Sequence, residues 1–159
     1  MDIITELAFS INNQLLTDIS LIINNELVYI GILAVAVLLG ERRFPKIIKI
    51  VSVVVFAVII GIALKTLIVA ERPCMELALD YCFEDPSFPS LHALAAFSLM
   101  IAFLNKRSFI AYMIFALFIA FTRLVLAMHG FVDIAGSLTI ALIAYYIVDR
   151  LWVKYYGGD

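Results

Sequence analysis

The chain has 159 residues, of which 65% are hydrophobic and 15% charged, with a mean hydropathy of +1.09. A soluble domain runs nearer half apolar, so this composition excludes an ordinary soluble globule and points to a single membrane-embedded domain over 1–159. The net charge of −2, with no basic run interleaved with aromatics, excludes nucleic acid as a partner.

Residues 1–25 place Ile4, Leu7, Ala8, Ile11, Leu15, Ile19 and Ile22 at helical spacing opposite a polar face. No uninterrupted apolar run there is long enough to span, so the segment reads as an amphipathic helix lying in the membrane interface. It lacks the basic start of a signal peptide and is broken by Asn12, Asn13, Gln14 and Asp18. A transmembrane core over 26–154 follows, with five spans expected at 27–40, 47–70, 89–104, 108–128 and 134–152. At ~1.5 Å per residue the third is short for a crossing, and is expected to start at the floor of a pocket. The fold class is therefore all-α, a polytopic membrane helix bundle. Tight linkers at 41–46 and 105–107 make neighbouring helices antiparallel.

Basic residues fix the orientation. Arg42, Arg43, Lys46, Lys49, Lys106, Arg107, Arg150 and Lys154 all fall on one side, which is expected to be cytoplasmic. The other three of the eleven, Lys65, Arg72 and Arg123, lie at the opposite ends of spans. Ionisable groups are costly in hydrocarbon and rarely sit there without a task.

Lys65 and Arg72 are seven residues apart, two helical turns along one face, with Pro73 ending the helix. They aim two cations at one spot near the outer surface; snorkelling to lipid phosphates is the alternative. After the loop 71–88, Pro89 reads as the first residue of a helix whose free N–H groups and dipole favour an anion. Ser90 adds a hydroxyl, unless it is only a cap, and His92 a group that titrates near neutrality. Glu76, Asp80, Glu84 and Asp85 in the loop read as a solvated face. Further on, Arg123 precedes His129 by six residues and Asp133 follows it by four. A carboxylate on one imidazole nitrogen fixes the tautomer and frees the other nitrogen to attack. A purely structural His–Asp hydrogen bond is the plainer reading. Cys74 and Cys82, the only two cysteines, have no spacing for a zinc site. They lie in the outward loop, either bridged or as two free thiols.

Three cations, a hydroxyl, two histidines and a carboxylate thus gather at the outer ends of spans, a set suited to a dianionic phosphoryl group. Lys65 with Arg72-Pro73, Pro89-Ser90-x-His92, and Arg123 with His129 and Asp133 resemble the three motifs of the type 2 phosphatidate phosphatase superfamily. The resemblance covers about residues 60–140. It implies that Lys65, Arg72 and Arg123 bind phosphate and that Ser90 and the Leu91 position hydrogen-bond it. It further implies that His129 is the nucleophile, Asp133 its orienter and His92 the acid, with Gly136 allowing close helix packing. Three positions depart from the pattern: Leu91 replaces a glycine, Thr122 a serine, and Val132 a small hydroxyl residue. Integral members often have six spans, and five are counted here.

The expected function is a metal-independent lipid phosphatase at the extracytoplasmic face of a cell membrane, working through a phosphohistidine, with no cofactor and no metal. A polyprenyl diphosphate such as undecaprenyl diphosphate is the favoured substrate, because recycling a carrier lipid needs only a small outward-facing catalyst. Phosphatidylglycerol phosphate and phosphatidate are the alternatives. A proton or anion transporter using the same charges would distribute them through the membrane depth. A haloperoxidase shares the residues but would need bound vanadate.

Overall fold

The computed structural model describes residues 1–157. Eight helices follow one another, with no strand among the described residues: α1 (Ile3–Ser10), α2 (Gln14–Asn24), α3 (Glu26–Gly40), α4 (Phe44–Leu67), α5 (Pro73–Glu76), α6 (Leu91–Ala102), α7 (Phe109–Val125) and α8 (Phe131–Tyr156). The single amphipathic helix expected over 1–25 is two helices. Asn13 caps α2 by accepting from the Leu16 amide, and Asn25 caps α3 through the Leu27 and Val28 amides. The Asn13 cap starts a new helix where periodicity alone would have run on, and the Asn25 cap falls at the expected boundary. The α2–α3 pair bends by 81° at Asn25.

By length and composition α4 and α8 can each cross a membrane, and the bent α2–α3 pair passes the same test as one broken span. With its apolar helices the chain is a membrane protein. Two, or at most three, helices meet that test among the described residues, against the five expected. Two apolar helices, α6 and the 17-residue α7, are too short for the test, and in α6 the reason is physical. Its 12 residues reach only ~18 Å against a hydrocarbon core of ~30 Å. Ala93, Leu94, Ala95, Ala96, Phe97, Ser98, Leu99 and Ile101 of α6 are all buried. An all-round apolar helix belongs inside, and the small residues at 93, 95 and 96 let α4, α7 and α8 close around it. Helix α4 instead leaves Val51, Val55, Ile59 and Ile62 exposed along one side.

Lys49 pairs with Asp149 at 2.9 Å and Lys106 with Glu41. Both pairs lie at the basic end of the bundle, away from α6's N-terminus. At the other end α1 and α2 pack on α7. Asp2 Oδ2 and Thr5 Oγ1 each accept from the Phe131 amide, at 3.1 Å. The chain's first turn is thereby tied to the start of α8.

Candidate active site

Helix α4 ends at Leu67, with Ile68 as an extended C-cap, so Lys65 and Arg72 do not share a helical face. They converge through the loop instead. Arg72 is the extended residue preceding α5, and Cys74 and Cys82 are disulfide bonded with their Cα atoms 5.7 Å apart. The Cys74 amide donates to the Ala127 carbonyl at 2.7 Å, which clamps this loop to the turn carrying His129. Arg72 Nη1 donates to the Met128 carbonyl at 3.0 Å and lies 3.4 Å from His129 Nε2.

Sequence reasoning took Asp85 for solvated surface, and the structure corrects this. Arg72 Nη2 donates to both its carboxylate oxygens at 2.8 and 2.9 Å, and Arg72 Nε to its carbonyl at 3.0 Å. Lys65 Nζ donates to Asp85 Oδ2 at 3.0 Å and to the Pro86 carbonyl. Burial pushes the Asp85 carboxyl up, but the Lys65 hydrogen bond and the Arg72 charge outweigh it and hold it below the usual carboxylate range.

His129 and Asp133 come together as their spacing suggests, with Nδ1 3.6 Å from Oδ2. That separation is long for a hydrogen bond. Asp133 Oδ2 also accepts from the Gly130 amide at 2.8 Å and from the Ser87 hydroxyl, and Ser87 Oγ is 3.4 Å from His129 Nδ1. Ser87 is buried and was not singled out from sequence. A loop serine has no periodic signal; only its nearness to the Pro89-Ser90 turn could have pointed to it. Arg72 can only donate, so His129 Nε2 beside it is the unprotonated nitrogen, and Nδ1–H faces Ser87 and Asp133. Burial pushes the imidazole, in the turn between α7 and α8, down to about 4; the Asp133 hydrogen bond opposes that and the Arg72 and Lys65 charges reinforce it. The ring is neutral at pH 7, with its free lone pair toward Arg72. Such a nitrogen can attack an electrophile held by Lys65 and Arg72.

Pro89 falls two residues before α6 rather than in its first turn, and Ser90 is the N-cap. Ser90 makes no capping bond, and its buried Oγ has no protein partner; the same holds for His92 Nε2. A buried polar atom left without a partner costs ~1–3 kcal/mol, so both are candidates for ligand contact. The His92 ring rests 4.4 Å from that of Tyr29, whose hydroxyl donates to the His92 carbonyl at 2.7 Å. A Cβ on Gly136 would run into the Phe88 ring, so the missing side chain admits a loop phenylalanine.

Arg123 is placed differently. It is fully buried and bonded to Thr122 Oγ1, to Asn24 Oδ1 at 2.7 Å and to the Ser20 carbonyl at 3.0 Å. It joins α7 to α2 and, like Ser87, Ser90 and Asp133, does not line the cavity on which Lys65, Arg72, Asp85, His92 and His129 open.

That cavity, about 870 Å³, contains Lys65, Arg72, Asp85, His92 and His129 at one end. From there it runs between α3 and α4, past Leu91, Val58, Val54 and Leu33 to Val37 and Ile47. Leu91 is among its lining residues and packs on α4, where a Cβ on Gly61 would meet Leu91 Cδ2 at 2.7 Å. Among the described residues no group of three or more His, Cys, Asp or Glu could hold a metal ion.

A family model described as the PAP2 superfamily matches residues 46–155. No curated protein and no solved structure matches the chain.

Proposed function

The chain belongs to the PAP2 superfamily, a family of phosphatases acting on lipid or related phosphates, and within it we propose a multi-pass lipid phosphatase working through a phosphohistidine. One observation supports the lipid above all: the cationic cluster and the apolar groove between α3 and α4 are one continuous cavity. A phosphate head seated at Lys65 and Arg72 would lay its tail along α4, whose 19 residues from Lys65 to Ile47 reach ~27 Å.

In this reading His129 Nε2 attacks phosphorus in line with the scissile P–O bond. Lys65, Arg72 and the first amides of α6 hold the phosphoryl oxygens as charge develops. Ser90 donates its hydroxyl to one of them. His92, in its protonated form, gives its proton to the leaving oxygen. Neutral His92 then takes a proton from water, whose oxygen attacks the phosphohistidine and releases inorganic phosphate. Ser87 and Asp133 hold the Nδ1–H tautomer throughout. Arg123 acts from α7 by anchoring α2 behind His92. The active site faces outward, opposite the basic end of the bundle.

Polyprenyl diphosphate is the preferred substrate, since the groove is long and mostly apolar. Phosphatidate and phosphatidylglycerol phosphate share the head chemistry. A transporter reading would need charges along the bundle axis, whereas these gather at one end. The test is release of inorganic phosphate from a panel of lipid phosphates by purified protein in detergent with EDTA present. Release from at least one lipid, lost in His129→Ala, is expected; no release from any would end the proposal.

A further inference from the structure

The segment 83–87 enters the site twice, through Ser87 at the histidine and through Asp85 at the cations. Asp85 is chemically unexpected there, because a carboxylate beside a phosphate repels it. Yet Arg72 grips both its oxygens, at 2.8 and 2.9 Å, and Lys65 takes a third contact at 3.0 Å. Both Arg72 bonds come from the single nitrogen Nη2 and are charge-assisted, and the oxygens of a phosphoryl group can accept the same donors. Arg72 Nη1, on the same guanidinium, lies 3.4 Å from the His129 nitrogen that would attack. The carboxylate therefore holds the place that an incoming phosphate needs.

We propose that Asp85 is a self-inhibiting residue: an internal anion on Lys65 and Arg72 that every ligand must displace, which raises the affinity threshold of the site for all anions alike. The inference rests on the phosphatase reading and concerns the regulation of its phosphate seat. An internal competitor weakens all ligands by the fraction of time the seat is open to them. A phosphomonoester or diphosphate, with two or more charges opposite two cations, tolerates that loss. A phosphodiester carries one charge, as Asp85 does, and exchanging one for the other gains nothing. Phosphodiester headgroups are the bulk of a phospholipid membrane, so a phosphatase buried in one needs such a threshold.

The arrangement permits the exchange. The Asp85 side chain is 49% exposed, so its carboxylate can turn to water. The backbone on either side stays put, because the Ser87 amide donates to the Ala70 carbonyl at 2.7 Å and Arg72 Nε holds the Asp85 carbonyl. Only a side-chain rotation is required. The same return of Asp85 would help to expel inorganic phosphate after turnover.

The test is equilibrium binding of two probes, inorganic phosphate and dihexanoyl phosphatidylglycerol, to the purified full chain by calorimetry. Asp85→Asn keeps the shape and removes the charge, and both dissociation constants should fall at least tenfold. Glu84→Gln removes one charge from the same loop and should leave both within threefold. Unchanged or weaker binding by Asp85→Asn would overturn the inference, as would equal tightening by Glu84→Gln. Binding is read without turnover. A wild type that binds phosphate but hydrolyses no lipid phosphate would defeat the phosphatase reading alone.

Discussion

His129 Nδ1 and Asp133 Oδ2 stand 3.6 Å apart, and the Ser87 hydroxyl reaches both, 3.4 Å from the ring and hydrogen-bonded to the carboxylate. A hydroxyl can accept the Nδ1–H and donate its own proton onward, so one serine completes a link that the pair closes only loosely. Losing a hydrogen bond to a charged group costs ~1.5–3 kcal/mol, which converts to a fall in kcat of about tenfold to hundredfold in Ser87→Ala. KM should change little, and Ser87→Thr, which keeps the hydroxyl, should recover most of the rate. A kcat within twofold of wild type for Ser87→Ala would show that Asp133 orients the ring unaided.

The pH profile follows from the burial of His129. Its neutral form is the reactive one, and its titration is moved from 6.5 down to about 4. The kcat/KM profile reports free-enzyme ionisations. With the substrate's own ionisation divided out, the acid limb belonging to His129 should lie near pH 4. A limb near 6.5 would mean that water reaches the ring. Linkage gives the matching sign for stability: the unfolded chain takes up this proton first as pH falls. The contribution is complete above about 6.5 and is lost as pH drops towards about 4.

The Cys74–Cys82 bridge should matter to both stability and rate. It closes a loop with a sequence separation of 8, and such a short closure is worth ~2–3 kcal/mol in the chain-entropy account. Because the Cys74 amide also anchors to Ala127, two residues before His129, loosening the loop should displace Arg72 from the imidazole. The Cys74→Ala/Cys82→Ala double variant should melt earlier and lose kcat together. Intact mass after alkylation without reductant should show no adduct on the wild type.

Orientation is testable with single introduced thiols. Glu71 and Arg43 are exposed at opposite ends of α4. In intact cells a membrane-impermeant maleimide should label Glu71→Cys and spare Arg43→Cys, placing the site outside. The reverse labelling would turn the enzyme over.

How far the sequence carried the site depended on the kind of signal each residue gives. His129 and Asp133 are four apart, and the turn at Gly130 places them together, as that spacing suggests. Lys65 and Arg72 meet, but not through the expected helical register: α4 stops at Leu67, and a loop carboxylate joins them. Asp85 and Ser87 sit in irregular backbone, where no period marks an inward-facing residue. Arg123 is the opposite case. Its position in a motif said nothing about α2, whose Asn24 and Ser20 take up its donors and which sequence periodicity had merged with α1. The spans were legible where apolar runs were long. Helix α6 was expected to be short, and its enclosure by α4, α7 and α8 is a tertiary fact beyond any hydropathy window.

The groove along α4 gives a prediction about chain length. Ile59 lines it and is 58% exposed, and it lies six residues from Lys65, ~9 Å down the helix axis. Tryptophan there would fill the groove without touching the histidines, and because the side chain faces outward the fold should not lose stability. A tail forced off the groove gives up buried methylenes at ~0.8 kcal/mol each, so losing two or three lowers kcat/KM by about tenfold to fiftyfold. A short phosphate such as butyl phosphate ends before Ile59 and should be hydrolysed by Ile59→Trp as by wild type. The long-chain substrate should suffer mainly in KM, since the chemistry at His129 is unaltered. Measuring kcat and KM for both chain lengths decides the matter. An equal loss for the two would mean that the tail leaves by another path, directly into lipid beside Leu91, and that the space between α3 and α4 is not where the substrate lies.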